Sequence, residues 1–440
     1  MKILPGKEDI RRLTWSWTPE SNKEAGNAIV RNMLLHWFPA KVNKISLSWG
    51  YSFWLGTISA ALFLILTITG IILMFLYTPS VERAYWTVKD IEFVITYGWF
   101  LRGLHRIAAH LMVAVVFIHL IRIFLTGAYK SGMATDANRP VNWIVGVVLL
   151  LLTLFLSFTG YLLPWDQLAF WAVTVGTNIA KAAPVVGEFI RYLLLGGNEI
   201  DQPTLLRFYV LHCFFLPLFV TMLISYHMWR IRKDGGLACI DQQVQKTGEM
   251  LKETVKTKTY SLLGIAKGTS VNVVSSLAMN EEDSVDSSPN MTRRIMVVMI
   301  LTLVISSILT FIFKAPLEEP ANAFVTPNPA KAPWYFLWLQ ELVTITTFHI
   351  GNFTINGAFV GGILIPGILV GLGLFWPYLD KSPNEAAGIW LHKSRKWQNL
   401  VFMLIVFAII LLTIIGTFMR GPYWGFFWPW EAWPDLPKIF

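Results

Sequence analysis

The sequence predicts an all-α membrane protein of seven transmembrane helices, arranged as an N-terminal four-helix bundle and a C-terminal three-helix half. Three observations predict it. Of 440 residues, 55% are apolar and only 14% are charged, where an average soluble domain carries about a quarter charged. Seven stretches approach the roughly twenty apolar residues that cross a hydrocarbon core as a helix. The Lys and Arg residues lie mostly on one side of those stretches, the asymmetry that sets membrane orientation.

Residues 1–49 form a basic cytoplasmic segment, in which the amphiphilic stretch 29–38 reads as an interfacial helix. Residues 50–233 make the four-helix unit, with spans A (53–76), B (101–124), C (142–163) and D (205–229). Between C and D, residues 169–195 are amphiphilic and are expected at the membrane surface. Residues 234–292, rich in Thr, Ser, Lys and Glu, read as a polar cytoplasmic linker. Residues 293–420 carry spans E (295–313), F (359–376) and G (400–419), with a second interfacial stretch at 333–344. Residues 421–440 are an aromatic tail outside the cytoplasm, suited to the headgroup region that Trp and Tyr favour.

Twenty-five of the 36 Lys and Arg fall in the N-terminal segment, the B–C loop with Arg122 at the end of span B, the linker with its flanks and the F–G loop. Those parts therefore face the cytoplasm and the C-terminus lies outside, in a bacterial cytoplasmic or other energy-transducing membrane. The net charge of +9 is then a topology signal, and no nucleic-acid role is expected. Two cysteines exclude a disulfide scaffold. No Cys-x-x-Cys-His is present to attach a c-type haem, and the first long apolar run, near Phe53, lies too deep for a cleavable signal.

Ionisable groups inside spans are costly and mark function. Span B holds His105 and His119, and span D holds His212 and His227, at separations of 14 and 15 residues. Fourteen helical steps end about 40° short of whole turns and fifteen about 60° past, so each pair shares a helix face, about 21–22 Å apart along the axis. B and D run in the same direction, so His105 is level with His212 and His119 with His227. Each level pair can supply two axial imidazoles to one haem iron between facing helices. Four bundle-facing histidines bonded to backbone carbonyls are the bland alternative. His110, five residues past His105, falls off the shared face and reads as structural, as does His392 in a cytoplasmic loop.

Gly56 and Gly70 in span A, and Gly146 and Gly160 in span C, repeat the 14-residue interval. A flat macrocycle against a helix needs such positions, although glycine in spans also serves helix packing. Arg102 and Arg106 flank His105 where propionate carboxylates need partners. Arg122 and Lys130 are similarly placed for the inner level, or are positive-inside anchors.

These residues resemble cytochrome b of the Rieske/cytochrome b quinol-oxidising complexes. The resemblance is carried by "GWFLRGLHRIAAHLMVAVVFIHLIRIFLTGAYK" from Gly98, "TGYLLPWDQLAFWAV" from Thr159 and "RFYVLHCFFLPLFVTMLISYHMWRIRK" from Arg207, then by "APWYFLWLQEL" from Ala332 and "IPGILVGLGLFWPYLD" from Ile365. The 15-residue interval in span D is similar to the split, chloroplast-type branch, whose two halves are fused here through the linker. The resemblance implies quinol oxidation near the outer surface. One electron goes to a Rieske iron–sulfur protein and on to a c-type cytochrome, the other across two non-covalent b-type haems to an inner quinone site, with proton release outside. His105 and His212 would hold the outer haem, His119 and His227 the inner one. A homodimer within a larger complex is the family expectation. The inner quinone site is expected near Arg232 and His36, either of which could instead meet lipid headgroups.

Two departures stand out. The family's Pro-Glu-Trp-Tyr motif reads Ala332-Pro333-Trp334-Tyr335, and proline cannot take a quinol proton. Glu341 is expected to supply the lost carboxylate, with Tyr335 and His349 as weaker candidates. The split branch also carries a covalent third haem on a cysteine early in span A; the matching position is Trp54, and Cys213 and Cys239 lie elsewhere, so no covalent haem is expected. Cys213 reads as a packing residue. Two other classes compete: a di-haem anchor passing quinol electrons to a partner enzyme without bifurcation, and a transporter with a histidine proton relay.

Overall fold

The computed structural model describes residues 41–131, 138–234, 252–256, 270–274, 284–351 and 353–434. Its principal helices, in chain order, are α1 (Leu55–Leu76), α2 (Ala84–Phe93), α3 (Gly98–Thr126), α4 (Arg139–Tyr161), α5 (Gln167–Lys181) and α6 (Gly187–Leu195). They continue with α7 (Gln202–Ile231), α8 (Ser287–Ile312), α9 (Trp334–Thr346), α10 (Gly357–Leu379) and α11 (Lys393–Met419). Seven of these, α1, α3, α4, α7, α8, α10 and α11, are long and apolar enough to cross a membrane. They correspond to spans A to G. The amphiphilic stretch between C and D is two helices, α5 and α6, and the second interfacial stretch is α9. α2 was not expected; its buried Tyr85, Val88 and Ile91 recur every three residues along one face, but ten residues give too short a periodic signal to stand out.

Local chemistry sets the ends. α3 stops at Gly127, whose φ of 62° is open to glycine and whose N–H returns to the Ile123 and Phe124 carbonyls. α4 starts with Pro140 in its first turn, where a missing N–H costs nothing. Asp166 caps α5, its Oδ1 accepting from the Ala169 N–H at 2.9 Å.

Span D contains one π-helical turn, Leu211–Phe215, in which the Leu216 N–H reaches back to the Leu211 carbonyl. Pro217 follows and has no N–H to offer the Cys213 carbonyl, which favours the wider turn. The turn absorbs one residue. The interval of 15 in span D therefore behaves as the interval of 14 in span B, and both helices present their histidines at the same phase.

α1 packs on α3 and α4 packs on α7; α8 lies against α1 and α3, α10 against α4, and α9 against α11. Leu62, Ile65, Leu104, Ala108 and Met112 form the α1–α3 core. The outward faces carry exposed Phe75, Phe155, Ile300 and Phe407, as a lipid-facing surface needs. Strand β1 (Lys41–Asn43) pairs antiparallel with β4 (Ser284–Asp286), so the chain before α1 is stitched to the chain before α8. Within the linker, β2 (Lys252–Lys256) pairs with β3 (Ser270–Val274), and β5 (Phe348–Ile350) with β6 (Phe353–Ile355) between α9 and α10. Hydrogen bonds join the two halves at both ends of the bundle: Gln167 N–H to the Glu319 carbonyl at 2.9 Å and Tyr51 hydroxyl to the Gly388 carbonyl at 2.7 Å.

Candidate functional site

Each span histidine faces a glycine of the helix packed beside its own. A Cβ on Gly70 would lie 3.2 Å from His105 Cε1, one on Gly56 3.7 Å from His119 Cε1, and one on Gly146 3.6 Å from His227 Cε1. A Cβ on Gly160 would collide with the ring of His212. The glycines thus first make room for imidazole rings, which lie against the neighbouring helix; the sequence reading had given that space to a macrocycle. Gly160→Val is expected to displace the His212 ring, and with it any haem held by His105 and His212, while sparing the His119–His227 level. The haem content of the purified variant measures this.

The rings of His105 and His212 stand 6.2 Å apart centre to centre. An imidazole nitrogen sits about 2 Å from a bound metal, so two rings on opposite sides of one metal atom are about 6 Å apart. The tautomers also fit. Thr69 gives its hydroxyl proton to the Ile65 carbonyl at 2.7 Å and so accepts from His105 Nδ1–H at 2.8 Å. His212 Nδ1–H donates to the Leu156 carbonyl at 3.0 Å. A proton held on Nδ1 leaves the Nε2 lone pair for a metal. Among the described residues no Nε2 of the four histidines has a hydrogen-bond partner. His119 and His227 face each other closely enough to interact electrostatically, and the Asn142 carbonyl faces His227.

A cavity of about 300 Å³ opens between these helices at the level of His105 and His212, lined by Gly70, His105, Gly160 and His212 together with Arg102 and Arg106. The two arginines are not equivalent. Arg102 is spent on protein: it bonds Glu92 at 2.6 Å and the Ala315 and Pro316 carbonyls at 3.1 and 2.6 Å. That corrects its expected role as a propionate partner, because its donors fix the E–F loop instead. Arg106 lines the cavity with no hydrogen-bond or ion-pair partner among the described residues, a cation suited to a carboxylate ligand. Arg122, buried, lies 4.6 Å over the Tyr51 ring. Lys130 is tied to Asp380 and reads as an anchor between the halves.

The start of α9 touches the cavity's His110. Pro333 caps that helix, Trp334 Nε1–H donates to His110 Nδ1 at 3.0 Å, and the Tyr335 ring lies 5.9 Å from that of His110. Tyr335 is buried, and its hydroxyl is pushed up to about 12 by burial, with a Ser157 hydrogen bond and the Arg106 charge pulling the other way. Glu341 is elsewhere. Its side chain is buried and both oxygens are taken by Arg420, at 2.6 and 2.9 Å. With both oxygens engaged by Arg420 and the side chain away from the cavity, the expectation that Glu341 replaces the lost glutamate is not what the geometry supports.

His349 is exposed in β5 with Nδ1 2.8 Å from Thr354 Oγ1, and His392 Nδ1 accepts from the Ser394 N–H at 3.3 Å. Neither reaches the cavity, whereas Cys213, beside His212, lines it. Trp54 is buried among Val42, Leu47, Met291 and Val298, filling the space between α1 and α8. His36, Cys239 and the Arg232 side chain lie outside the described residues. Sequence reasoning missed His110: no periodicity pairs it, because its partner comes from α9, 224 residues on.

The fold and the site define an integral membrane helical bundle whose interior presents imidazoles in pairs. Residues 41–235 match the family described as cytochrome b/b6/petB, and residues 320–427 match cytochrome b(C-terminal)/b6/petD. The N-terminal half is 42% identical over 181 residues to cytochrome b6 of Porphyra purpurea and 40% identical over 181 residues to that of Euglena gracilis, in each case 41% of this chain and 81% of the relative. A solved structure titled "Hyperthermophilic respiratory Complex III" superposes with a TM-score of 0.65 over 86% of both chains at 23% identity, a likeness of fold. The chain belongs to the cytochrome b family, with the two parts of that family in one polypeptide. Its members carry b-type haem and work in membrane redox complexes.

Proposed function

We propose that the chain is the cytochrome b subunit of a quinol-oxidising complex, taking electrons from quinol at the outer face and passing them across the membrane to a quinone at the inner face. The observation that carries this is the pair of histidine levels, each with a glycine opposite and no hydrogen-bond partner on Nε2 among the described residues. His105 and His212 would hold the outer b-type haem, His119 and His227 the inner one. Bound haem supplies one-electron transfer between the two surfaces; the chain supplies the rest. Arg106 offers a cation to the outer cofactor's carboxylates. Thr69 and the Leu156 carbonyl fix the tautomers of His105 and His212. Trp334 and Tyr335, which follow Pro333 at the start of α9, would meet the quinol beside the cavity-lining His110. Trp54, with no thiol, leaves no covalent anchor for a third haem.

The partners of this reading are a Rieske iron–sulfur protein, a c-type cytochrome subunit and a second copy of the chain. The membrane is bacterial and energy-transducing, with the N-terminus and linker cytoplasmic and the C-terminus outside, as the basic residues indicate. A reduced-minus-oxidised spectrum of the purified complex tests the reading. The expected result is b-type absorbance titrating as two components, with no haem left on the polypeptide after denaturation. No visible absorbance would overturn it. The di-haem anchor remains the second reading because the quinol-site glutamate is replaced; absence of an iron–sulfur signal from the purified complex would favour it.

A further inference from the structure

The lost glutamate raises a question the geometry answers on the facing helix. We infer that His110 is the quinol proton acceptor of the outer site, an inference that rests on the quinol reading above. Four observations meet at this residue. It lines the same cavity as His105 and Arg106. It lies five residues past His105 on α3, about 7.5 Å deeper along the axis, clear of the metal-ligating level. Its neighbours from α9 are Trp334 and Tyr335, the residues that directly follow the substituted Pro333. And its Nδ1 accepts the Trp334 indole N–H, so in the neutral ring the Nδ1 lone pair is free of its own proton and aimed at the motif.

The indole N–H is the group a quinol hydroxyl would replace. Trp334 is 42% exposed and its N–H bonds only to His110 among the described residues. Exchange of one donor for another at Nδ1 leaves the number of hydrogen bonds unchanged. The step is a proton transfer: the quinol O–H bond breaks, its electron pair stays on oxygen as quinolate, and the proton joins Nδ1 to give imidazolium. Oxidation to quinone would also release the proton of the second hydroxyl to water, as the two electrons leave singly for the iron–sulfur acceptor and the outer haem of the reading above.

The surroundings make imidazolium short-lived. Arg106, one helical turn away, repels it, and Tyr335 faces it as a neutral hydroxyl. Toward the outer mouth of the cavity lie Asp166 and Glu318. The Asp166 oxygens are taken by the N–H groups of Ala169 and Glu318. The Glu318 side chain is exposed and has no hydrogen-bond or ion-pair partner among the described residues, so this wall stands open to water. Glu341 offers none of this, being held by Arg420.

Two variants of the full complex test the inference, with a short-chain benzoquinol and a naphthoquinol as probes and haem reduction as readout. Glutamine at the position can accept a hydrogen bond but cannot carry the proton. His110→Gln is expected to slow quinol-driven haem reduction by about 10²–10⁴-fold, the usual contribution of a general base, while dithionite still reduces both haems with unchanged spectra. Trp334→Phe removes the competing donor and is expected to lower the quinol KM several-fold, a change of opposite sign that a merely structural contact would not give. A His110→Gln rate within about threefold of wild type, or a raised KM in Trp334→Phe, overturns the inference. Wild-type haems reduced by dithionite but by neither quinol would instead overturn the quinol reading, and this inference with it.

Discussion

On the proposed reading of two haems per chain, replacing His212 with leucine is expected to leave one. The ligand's Nε2 has no substitute: the other ring at that level, His105, stands 6.2 Å away across the site, and Cys213, next in sequence, is a helical step around the π turn. Loss of an axial ligand on a helix face that leucine fills with apolar bulk closes the outer cavity as well as emptying it. The inner level is untouched, because His119 and His227 sit about 21 Å along their helices and lean on other glycines, Gly56 and Gly146. Pyridine haemochrome per mole of protein should therefore fall by half. Quinol should no longer reduce the remaining haem from the outer side, while dithionite still should. A smaller effect of the same kind is expected from Thr69→Val, which removes the acceptor of His105 Nδ1–H; partners of this sort usually contribute about 10–100-fold in affinity. Retention of two haems in His212→Leu would sink the ligand assignment.

The spans and the histidine pairs were legible because both are periodic. A run of twenty apolar residues and an interval of fourteen are local signals that no distant contact can disguise. The interval of fifteen in span D was legible only in part. Its residual 60° looked like loose facing, and the π turn at Leu211–Phe215 that removes it depends on Pro217, which reads in a sequence as a kink rather than as a register correction. The site's polar partners were not legible at all. Glu341 meets Arg420 across 79 residues, and Trp334 meets His110 across 224. Nothing in either neighbourhood announces the other, since the pairing is set by how α9 lies against α3 and α11. Arg102 shows the same limit. Its spacing from His105 suits a haem carboxylate, but its donors go to Glu92 and to a loop 213 residues away.

The other large effect is expected at the junction of the halves, where Asp380 follows α10. Its carboxylate accepts from the Tyr129 hydroxyl, the Ser382 N–H at 3.0 Å and Arg395 Nε at 3.2 Å, and Lys130 Nζ stands 3.8 Å away. Arg395 is wholly buried and lies over the Phe124 and Tyr129 rings. Asp380→Asn keeps an acceptor for Ser382 but leaves Arg395 and Lys130 as buried cations with no carboxylate. Breaking a buried pair in this way costs about 3–5 kcal/mol. Because Tyr129 and Lys130 belong to the N-terminal half and Asp380 and Arg395 to the other, the loss should appear as a weaker junction. The expected result is a Tm lower by several degrees and, after proteolysis within the linker, halves that separate in detergent where those of the wild type stay together. The pH dependence has a definite sign. Burial alone would raise the Asp380 pKa, but the hydrogen bonds from Ser382 and Tyr129 and the Lys130 charge outweigh it and hold the group at about 2. A folded value below the unfolded one, about 3.9, means the contribution is fully present above about pH 4 and is lost as pH falls through about 2. Between pH 5 and 8 the deficit of Asp380→Asn should therefore be constant, and it should shrink on acidification below pH 4. A deficit that instead grew toward low pH, or a variant as stable as the wild type at pH 7, would show that the carboxylate does not hold the two halves together.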